Sequence, residues 1–279
     1  MAMTILAMRG PVAAAALLLA FVGAAPPAPA QRIVTLVPSF AADLVAIGAG
    51  SQIVGVSAYT DVPQAAALPR VGDAGGIDAE RIVTLHPDAI VGIPAQARSL
   101  EPLRRIGLKV VLLRNDTFGD IFTDLTALGK LSGHAAQAAA FEAASMRRTD
   151  AIRAQVRRFV RRPSVFVVLG TGPIWTVGKG SYIATLVAMA DGRNAADDLH
   201  AAYGEYSAEA LLRDRPDVLL ADPLMHVDSV LDREPWRSLR AVQHHRVFTI
   251  DPPDMLMQPG PLYNEGLAWL VKRQTPLAR

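Results

Sequence analysis

From Arg32 onwards, apolar runs of strand length alternate with amphipathic stretches of helix length. The run Arg32-Ile33-Val34-Thr35-Leu36-Val37 ends at Pro38-Ser39, and Ser39 is placed to cap an apolar helix from Phe40 to Ile47. Ile53 to Val56 is a second strand that empties into the loop Ser57 to Pro63, which carries the aromatic Tyr59. A helix near Ser99 to Ile106, a strand from Lys109 to Leu113 and a helix from Ile121 to Leu131 follow. Beyond Pro163 the pattern restarts with the strand Val165 to Leu169, the Gly-rich turn Trp175 to Ser181 and a helix through Met189. A helix near Trp236 to Ala241, the strand Arg246 to Ile250, a loop from Asp251 to Gly260 and a helix from Pro261 to Lys272 complete the chain. Strands alternating with helices in this way predict parallel-sheet α/β cores, with ligands bound at loops that follow strand ends.

Between these two series lies a stretch without Gly or Pro, from His134 to Arg162, filled with Ala, Arg, Gln and Glu. It predicts one long helix of roughly 43 Å at about 1.5 Å per residue. Phe141, Ile152, Val156 and Phe159 form its apolar side, while Arg147, Arg148, Arg153, Arg157, Arg158, Arg161 and Arg162 mark a solvated, basic side. The segments flanking it repeat one plan. Asp78 to Val91 and Ser207 to Leu220 each read as a capped helix, a Pro-Asp turn and an apolar strand. The expected organisation is an N-terminal α/β lobe over 31–132, a connecting helix over 133–162 and a C-terminal α/β lobe over 163–279, with a ligand cleft between the lobes.

The first thirty residues have a different character. Arg9, an apolar run from Val12 to Ala25, Pro26-Pro27 and then Ala28-Pro29-Ala30 have the layout of a secretory signal peptide over residues 1–30, which predicts an exported, periplasmic protein. The chain has no cysteine, which excludes disulfides, thiolate metal sites, cysteine nucleophiles and acylation of a cysteine at the cleavage site. A formal net charge of only +2 gives no ground for a nucleic-acid partner.

The strand-and-loop sequence Arg32 to Ser39, the Gly55-Val56-Ser57 loop, Glu80-Arg81-Ile82-Val83, Trp175 to Ser181 and Tyr206 to Glu209 resemble the periplasmic binding proteins of ABC importers for cobalamin, haem and ferric siderophores. The cobalamin-binding type is the most similar. The resemblance implies two α/β lobes joined by one long helix, little hinge motion and no enzymatic activity. It also implies a monomer that passes a corrinoid or other metal-chelate ligand to an ABC permease dimer with its ATPase. No cofactor is implied beyond the ligand itself. Glu80 and Glu209 match the acidic residues that meet permease arginines, and each lies two residues after a capping residue, where a helix also favours negative charge. Pro38, Ser39, Tyr59, Trp175, Tyr182, Tyr203, Asp254 and Met255 are the expected ligand-binding residues, because a ringed ligand needs aromatic and apolar walls with few polar anchors. Tyr59 and Trp175 lead this set. Where cobalamin-binding relatives carry tryptophans, this chain has Ala74, Ile93 and Tyr203, so haem or a ferric siderophore is the alternative cargo.

Other classes find less support. A Walker motif needs four residues between its first glycine and Gly-Lys, whereas five separate Gly172 from Gly178 here. For an exported hydrolase, the alternative of another class, there is no Gly-x-Ser-x-Gly and no His-Glu-x-x-His. His86, His134, His200, His226, His244 and His245 are scattered, and no metal-ligating residue is assigned.

Overall fold

The structure, a computed structural model, describes residues 31–73, 76–156, 161–274 and 277. The expected signal peptide lies outside them. The first series comprises β1 (Ile33–Thr35), α1 (Pro38–Ala46), β2 (Ile53–Val56), α2 (Ala79–Thr84), β3 (Ala89–Gly92), α3 (Ala97–Arg105), β4 (Lys109–Leu112) and α4 (Asp120–Ser132). The long helix is α5 (Ala135–Gln155). The second series comprises β5 (Ser164–Val168), β6 (Gly170–Thr171), β7 (Ile174–Val177), α6 (Tyr182–Met189), β8 (Arg193–Asn194), β9 (Tyr203–Glu205), α7 (Ala208–Asp214), β10 (Val218–Ala221), α8 (Arg240–Gln243), β11 (Val247–Thr249) and α9 (Tyr263–Gln274).

Each series builds a four-stranded parallel sheet, ordered β2-β1-β3-β4 in the first lobe and β8-β5-β10-β11 in the second. The two orders are the same once the strands are matched. In both, the first strand of the lobe lies inside the sheet and the chain steps to one side of it and then to the other. The second lobe adds a small antiparallel sheet, β6-β7-β9, which the alternation of strands and helices does not announce.

Helices cover both faces of these sheets, so the strands are apolar throughout and successive residues enter different cores. Ile33 packs with Phe40, Leu44, Leu125 and Leu128, while its neighbour Val34 packs with Ile82, Leu100 and Leu103. In β5 the division repeats, with Val165 and Val167 facing Leu186 and Tyr263, and Phe166 and Val168 facing Leu211 and Trp236.

Gly133, in the left-handed conformation at φ 76°, ends α4 and lets the chain reverse into α5. The two helices pack closely at Gly129, where an added Cβ would overlap the Cβ of Ala138. The buried residues of α5 are Ala138, Ser145, Thr149 and Ile152, a single stripe at helical spacings.

The long helix is shorter than the sequence predicts. It has 21 residues, about 31 Å, and Val156 is already extended. Arg157, Arg158 and Phe159 lie outside the described residues. Arg161 and Arg162 do not continue a basic helix face. They pair with Asp217 at 3.1 Å and Asp191 at 3.0 Å, anchoring the chain as it turns into β5. No Gly or Pro lies between Gln155 and Arg162 to mark this exit in the sequence, and the two ion pairs tie the chain beyond it to the second lobe.

Candidate functional site

The first strand of each lobe ends at a point where successive connections leave in opposite directions, and open α/β sheets bind ligands at such places. In the first lobe that point opens a hollow of about 400 Å³ lined by Leu36, Val37, Pro38, Ser57, Tyr59, Asp73, Ile93 and Gln96. Apart from Asp73, further along the loop that follows β2, these are residues at or just beyond the carboxyl ends of β1, β2 and β3. Gln96 ties two of those ends together, since its Oε1 accepts from the Ile93 amide at 3.0 Å and its Nε2 donates to the Leu36 carbonyl at 3.4 Å.

Tyr59 stands at the rim, 73% exposed. Its loop is held from below. The Ser57 and Thr60 hydroxyls are 2.8 Å apart, and Arg70 donates to the carbonyls of Ser57 at 3.3 Å and Thr60 at 2.7 Å. An aromatic on a clamped turn presents its ring without ordering a loose loop on binding.

The second lobe contributes the face of its small sheet. Trp175 pairs across to Glu205 and Val177 to Tyr203, so Trp175, Tyr203 and Glu205 lie on one side of that sheet. Trp175 is 40% exposed and Tyr203 is 36% exposed. Thr176, on the opposite side, anchors the hairpin through a 2.6 Å hydrogen bond to the Val167 carbonyl. Gly178 donates to the Ala202 carbonyl at 2.9 Å, and a Cβ there would collide with the carbonyls of Leu199 and Ala201. The glycine of this turn thus permits close backbone approach.

The strand-end edges of the two lobes face one another. Ser39, just after β1, lies against Gly260 from the segment that follows β11, and Phe118, after β4, packs edge-on against Tyr263 with centroids 5.2 Å apart. Burial, and secondly the charge of Asp116 in the first lobe, push the Tyr203 phenol above its usual range, so this ring is a neutral donor with aromatic surface.

Pro38 lines the first-lobe hollow, but several other expected residues fall elsewhere. Pro38 occupies the first helical position of α1 and Ser39 the second; Val37 is the cap residue, so Ser39 does not cap the helix. Proline at that position supplies the fixed φ and lacks only an amide that would have been unpaired. Ser39 is 1% exposed, and its hydroxyl has no hydrogen-bond partner. Tyr182 is fully buried and Met255 nearly so, both in the core beneath α9 with Leu267 and Leu270, because α6 turns its first residue inward. They are core residues and do not line the cleft. Asp254 lies in the turn Pro253–Met255, and its side chain is outside the described residues. Ile93, where cobalamin-binding relatives carry a tryptophan, does line the hollow, while Leu36, Val37, Ser57, Asp73, Gln96 and Glu205 lie outside the expected ligand-binding set. For Leu36, Val37, Ser57 and Gln96 the one signal is position just after a strand.

A larger hollow of about 520 Å³ lies between α1, α5 and the start of α9, crossed by the 2.5 Å ion pair of Arg148 with Glu265. Its walls are the flanks of α1 and α5, the stretch Asp61 to Gln64 beyond the Tyr59 turn, and the start of α9; the first-lobe hollow, at the ends of three strands, is the better candidate. Among the described residues, no group of three or more His, Cys, Asp or Glu is placed to hold a metal ion.

Comparison with known proteins agrees with the fold. A family model described as periplasmic binding protein matches residues 33–253. The chain belongs to the periplasmic binding protein family. It is 30% identical to the vitamin B12-binding protein of Vibrio cholerae over 85% of this chain and 86% of that one. The crystal structure of periplasmic vitamin B12 binding protein BtuF of Vibrio cholerae superposes with a TM-score of 0.76 at 27% identity, covering 89% of this chain and 98% of that chain. A periplasmic heme binding protein from Pseudomonas aeruginosa superposes with a TM-score of 0.79 at 26% identity, covering 90% and 94%. Proteins of this family bind and deliver solutes to ABC importers and are not enzymes.

In this periplasmic binding protein the matched helices α2 and α7 begin alike. Asp78 accepts from the Arg81 amide at 2.9 Å and Ser207 from the Ala210 amide at 3.0 Å. Glu80 and Glu209 follow in the first turns, both exposed, and neither carboxylate has a hydrogen-bond or ion-pair partner among the described residues.

Proposed function

We propose that this periplasmic binding protein captures a corrinoid between its lobes and hands it to an ABC permease dimer driven by its ATPase. The observation that carries the cargo assignment is the pair of aromatic walls. Tyr59 projects from a clamped turn over an apolar hollow in the first lobe, and Trp175 with Tyr203 lines one face of the small sheet in the second. The identity to a vitamin B12-binding protein points the same way. Micromolar to nanomolar affinity, about 8 to 12 kcal/mol, is the range a receptor must reach while still releasing its cargo.

Pro38, Tyr59, Trp175 and Tyr203 hold the ligand in this reading, and Glu80 and Glu209 dock the permease. Charge pairs at two separated points set orientation and speed encounter. Residues 1–30 direct export to the periplasm. With no cysteine to acylate, the exported chain carries no cysteine-linked lipid anchor.

The second reading is haem or a ferric chelate. The phenol of Tyr59, open to solvent at the rim, and the likeness to a periplasmic heme binding protein favour it. Mixing the chain from Gln31 onwards with cyanocobalamin, hemin and ferric siderophores and recording visible absorption separates the two. A perturbed corrin spectrum with one-to-one binding supports the corrinoid; a shifted Soret band with no corrin response replaces it with haem. For docking, Glu80→Ala with Glu209→Ala abolishes uptake and leaves ligand affinity normal. Loss of ligand binding in that variant contradicts the docking role.

A further inference from the structure

The docking helices share more than a glutamate. In α2 the buried anchor is Ile82 and in α7 it is Leu211, both 0% exposed. The next residue in each, Val83 and Leu212, faces outward with 40% and 38% of its surface open, and neither packs against a hydrophobic core. Each lies three residues beyond its glutamate, which places carboxylate and aliphatic group side by side on one helix face.

A single exposed aliphatic residue is ordinary on a protein surface. Two at the same register of an internal repeat, each beside a carboxylate without a partner among the described residues, form a matched pair of composite patches. Each helix leads into a strand of a parallel sheet, and a helix in such a connection returns antiparallel to the strands, which puts the start of each patch towards the strand-end side of its sheet.

We infer that Val83 and Leu212 are the apolar halves of a two-point docking surface, and that the partner is a two-fold permease whose copies each present a basic side chain beside an apolar socket. This rests on the reading of Glu80 and Glu209 as docking residues. Duplicate patches on one chain fit a partner that repeats its own surface across a two-fold axis. The aliphatic group seats in the socket beside the ion pair and adds apolar burial, an attraction that does not depend on charge. The carboxylates supply the salt-dependent attraction and the aliphatic groups the salt-independent part.

The test measures binding of the chain from Gln31 onwards to the permease–ATPase complex in lipid nanodiscs over a range of salt. Val83→Ser with Leu212→Ser binds weaker by about tenfold or more, with the salt slope of the unmodified chain. The single variants each carry part of the loss, and the parts add because the patches are well separated. Near-isosteric Val83→Thr and Leu212→Asn give the same result with an unchanged thermal midpoint, which excludes misfolding as the cause. Serine and near-isosteric variants that bind within about twofold of the unmodified chain overturn this inference. Glu80→Gln with Glu209→Gln flattens the salt dependence. If it binds as the unmodified chain does, or if the unmodified chain does not bind, the docking reading beneath falls instead.

Discussion

Tyr59 and Trp175 owe their exposure to backbone anchoring. Arg70 fixes the turn that carries Tyr59, and Thr176 fixes the hairpin that carries Trp175, so both rings are presented before any ligand arrives. Trp175→Ala is expected to weaken cyanocobalamin binding about tenfold or more while the thermal midpoint stays within a degree or two, because an exposed ring on a surface hairpin supports no core. Titration calorimetry with thermal melting checks both. Of the three tryptophans, Trp236 is buried in the second lobe and Trp269 is packed on Phe248 at a centroid distance of 6.4 Å. Quenching of intrinsic fluorescence by the ligand should therefore disappear in Trp175→Phe. At this scale aromatic type and loop position made Tyr59, Trp175 and Tyr203 legible. They did not separate these from Tyr182, since whether the first residue of a helix points to a cleft or a core depends on how that helix is rolled against its sheet.

Elements are joined by a few polar contacts in otherwise apolar interfaces. Thr149 of α5 lies 2.9 Å from both the Tyr263 hydroxyl and Asn264 Oδ1 of α9, and Asn264 Nδ2 donates to the Ser145 carbonyl at 3.0 Å. This buried network fixes the long helix to the second lobe. Thr149→Val leaves both partners without the hydroxyl and should lower stability by about 1 to 3 kcal/mol, measured by chemical denaturation. Between α1 and α4 the contact is of another kind. Burial, and then the charge of Asp124, push the Asp43 carboxyl well above the usual carboxylate range. Burial, followed by the charge of Asp120, raises Asp124 to about 7. Asp120 differs, because hydrogen bonds from the Thr117 and Asp116 amides outweigh its burial and hold it low. For Asp43 and Asp124 the folded value exceeds the unfolded one. The unfolded chain then releases these protons above about pH 4 while the fold retains them, so their contribution to stability falls as pH rises towards 7. Denaturation at pH 5 and pH 8 should show the fold weakening at the higher value, and Asp124→Asn should reduce that difference.

For the whole molecule, mechanics follow from how α5 is seated. Its first half packs on α4 at Gly129 and Ala138, and its second half is tied to α9 by the Thr149 network and the Arg148–Glu265 pair. A single helix fixed at both ends bends far less readily than extended crossovers. Saturating cyanocobalamin should therefore change the radius of gyration by less than about 1 Å in small-angle scattering. A larger contraction would show that the lobes close as hinged halves. The same rigidity suits docking at two points, because Glu80 and Glu209 then keep a constant separation whether cargo is present or absent.

What the sequence by itself determined is periodic and local. Apolar runs set the strands, the repeated cap, Pro-Asp turn and strand set two lobes of one plan, and Gly133 set the break between α4 and α5. The family resemblance followed from those local runs, with Glu80 and Glu209 as the residues carried over. What only the tertiary structure decided depends on distant partners. Arg161 and Arg162 pair with Asp217 and Asp191 beyond the end of α5, β9 returns to the β6–β7 hairpin to complete the small antiparallel sheet, and Gln96 joins two strand ends to complete a hollow. Helix and strand periods arise from neighbours within a few residues, whereas exits, sheet edges and cavity walls arise from side chains brought together across the fold.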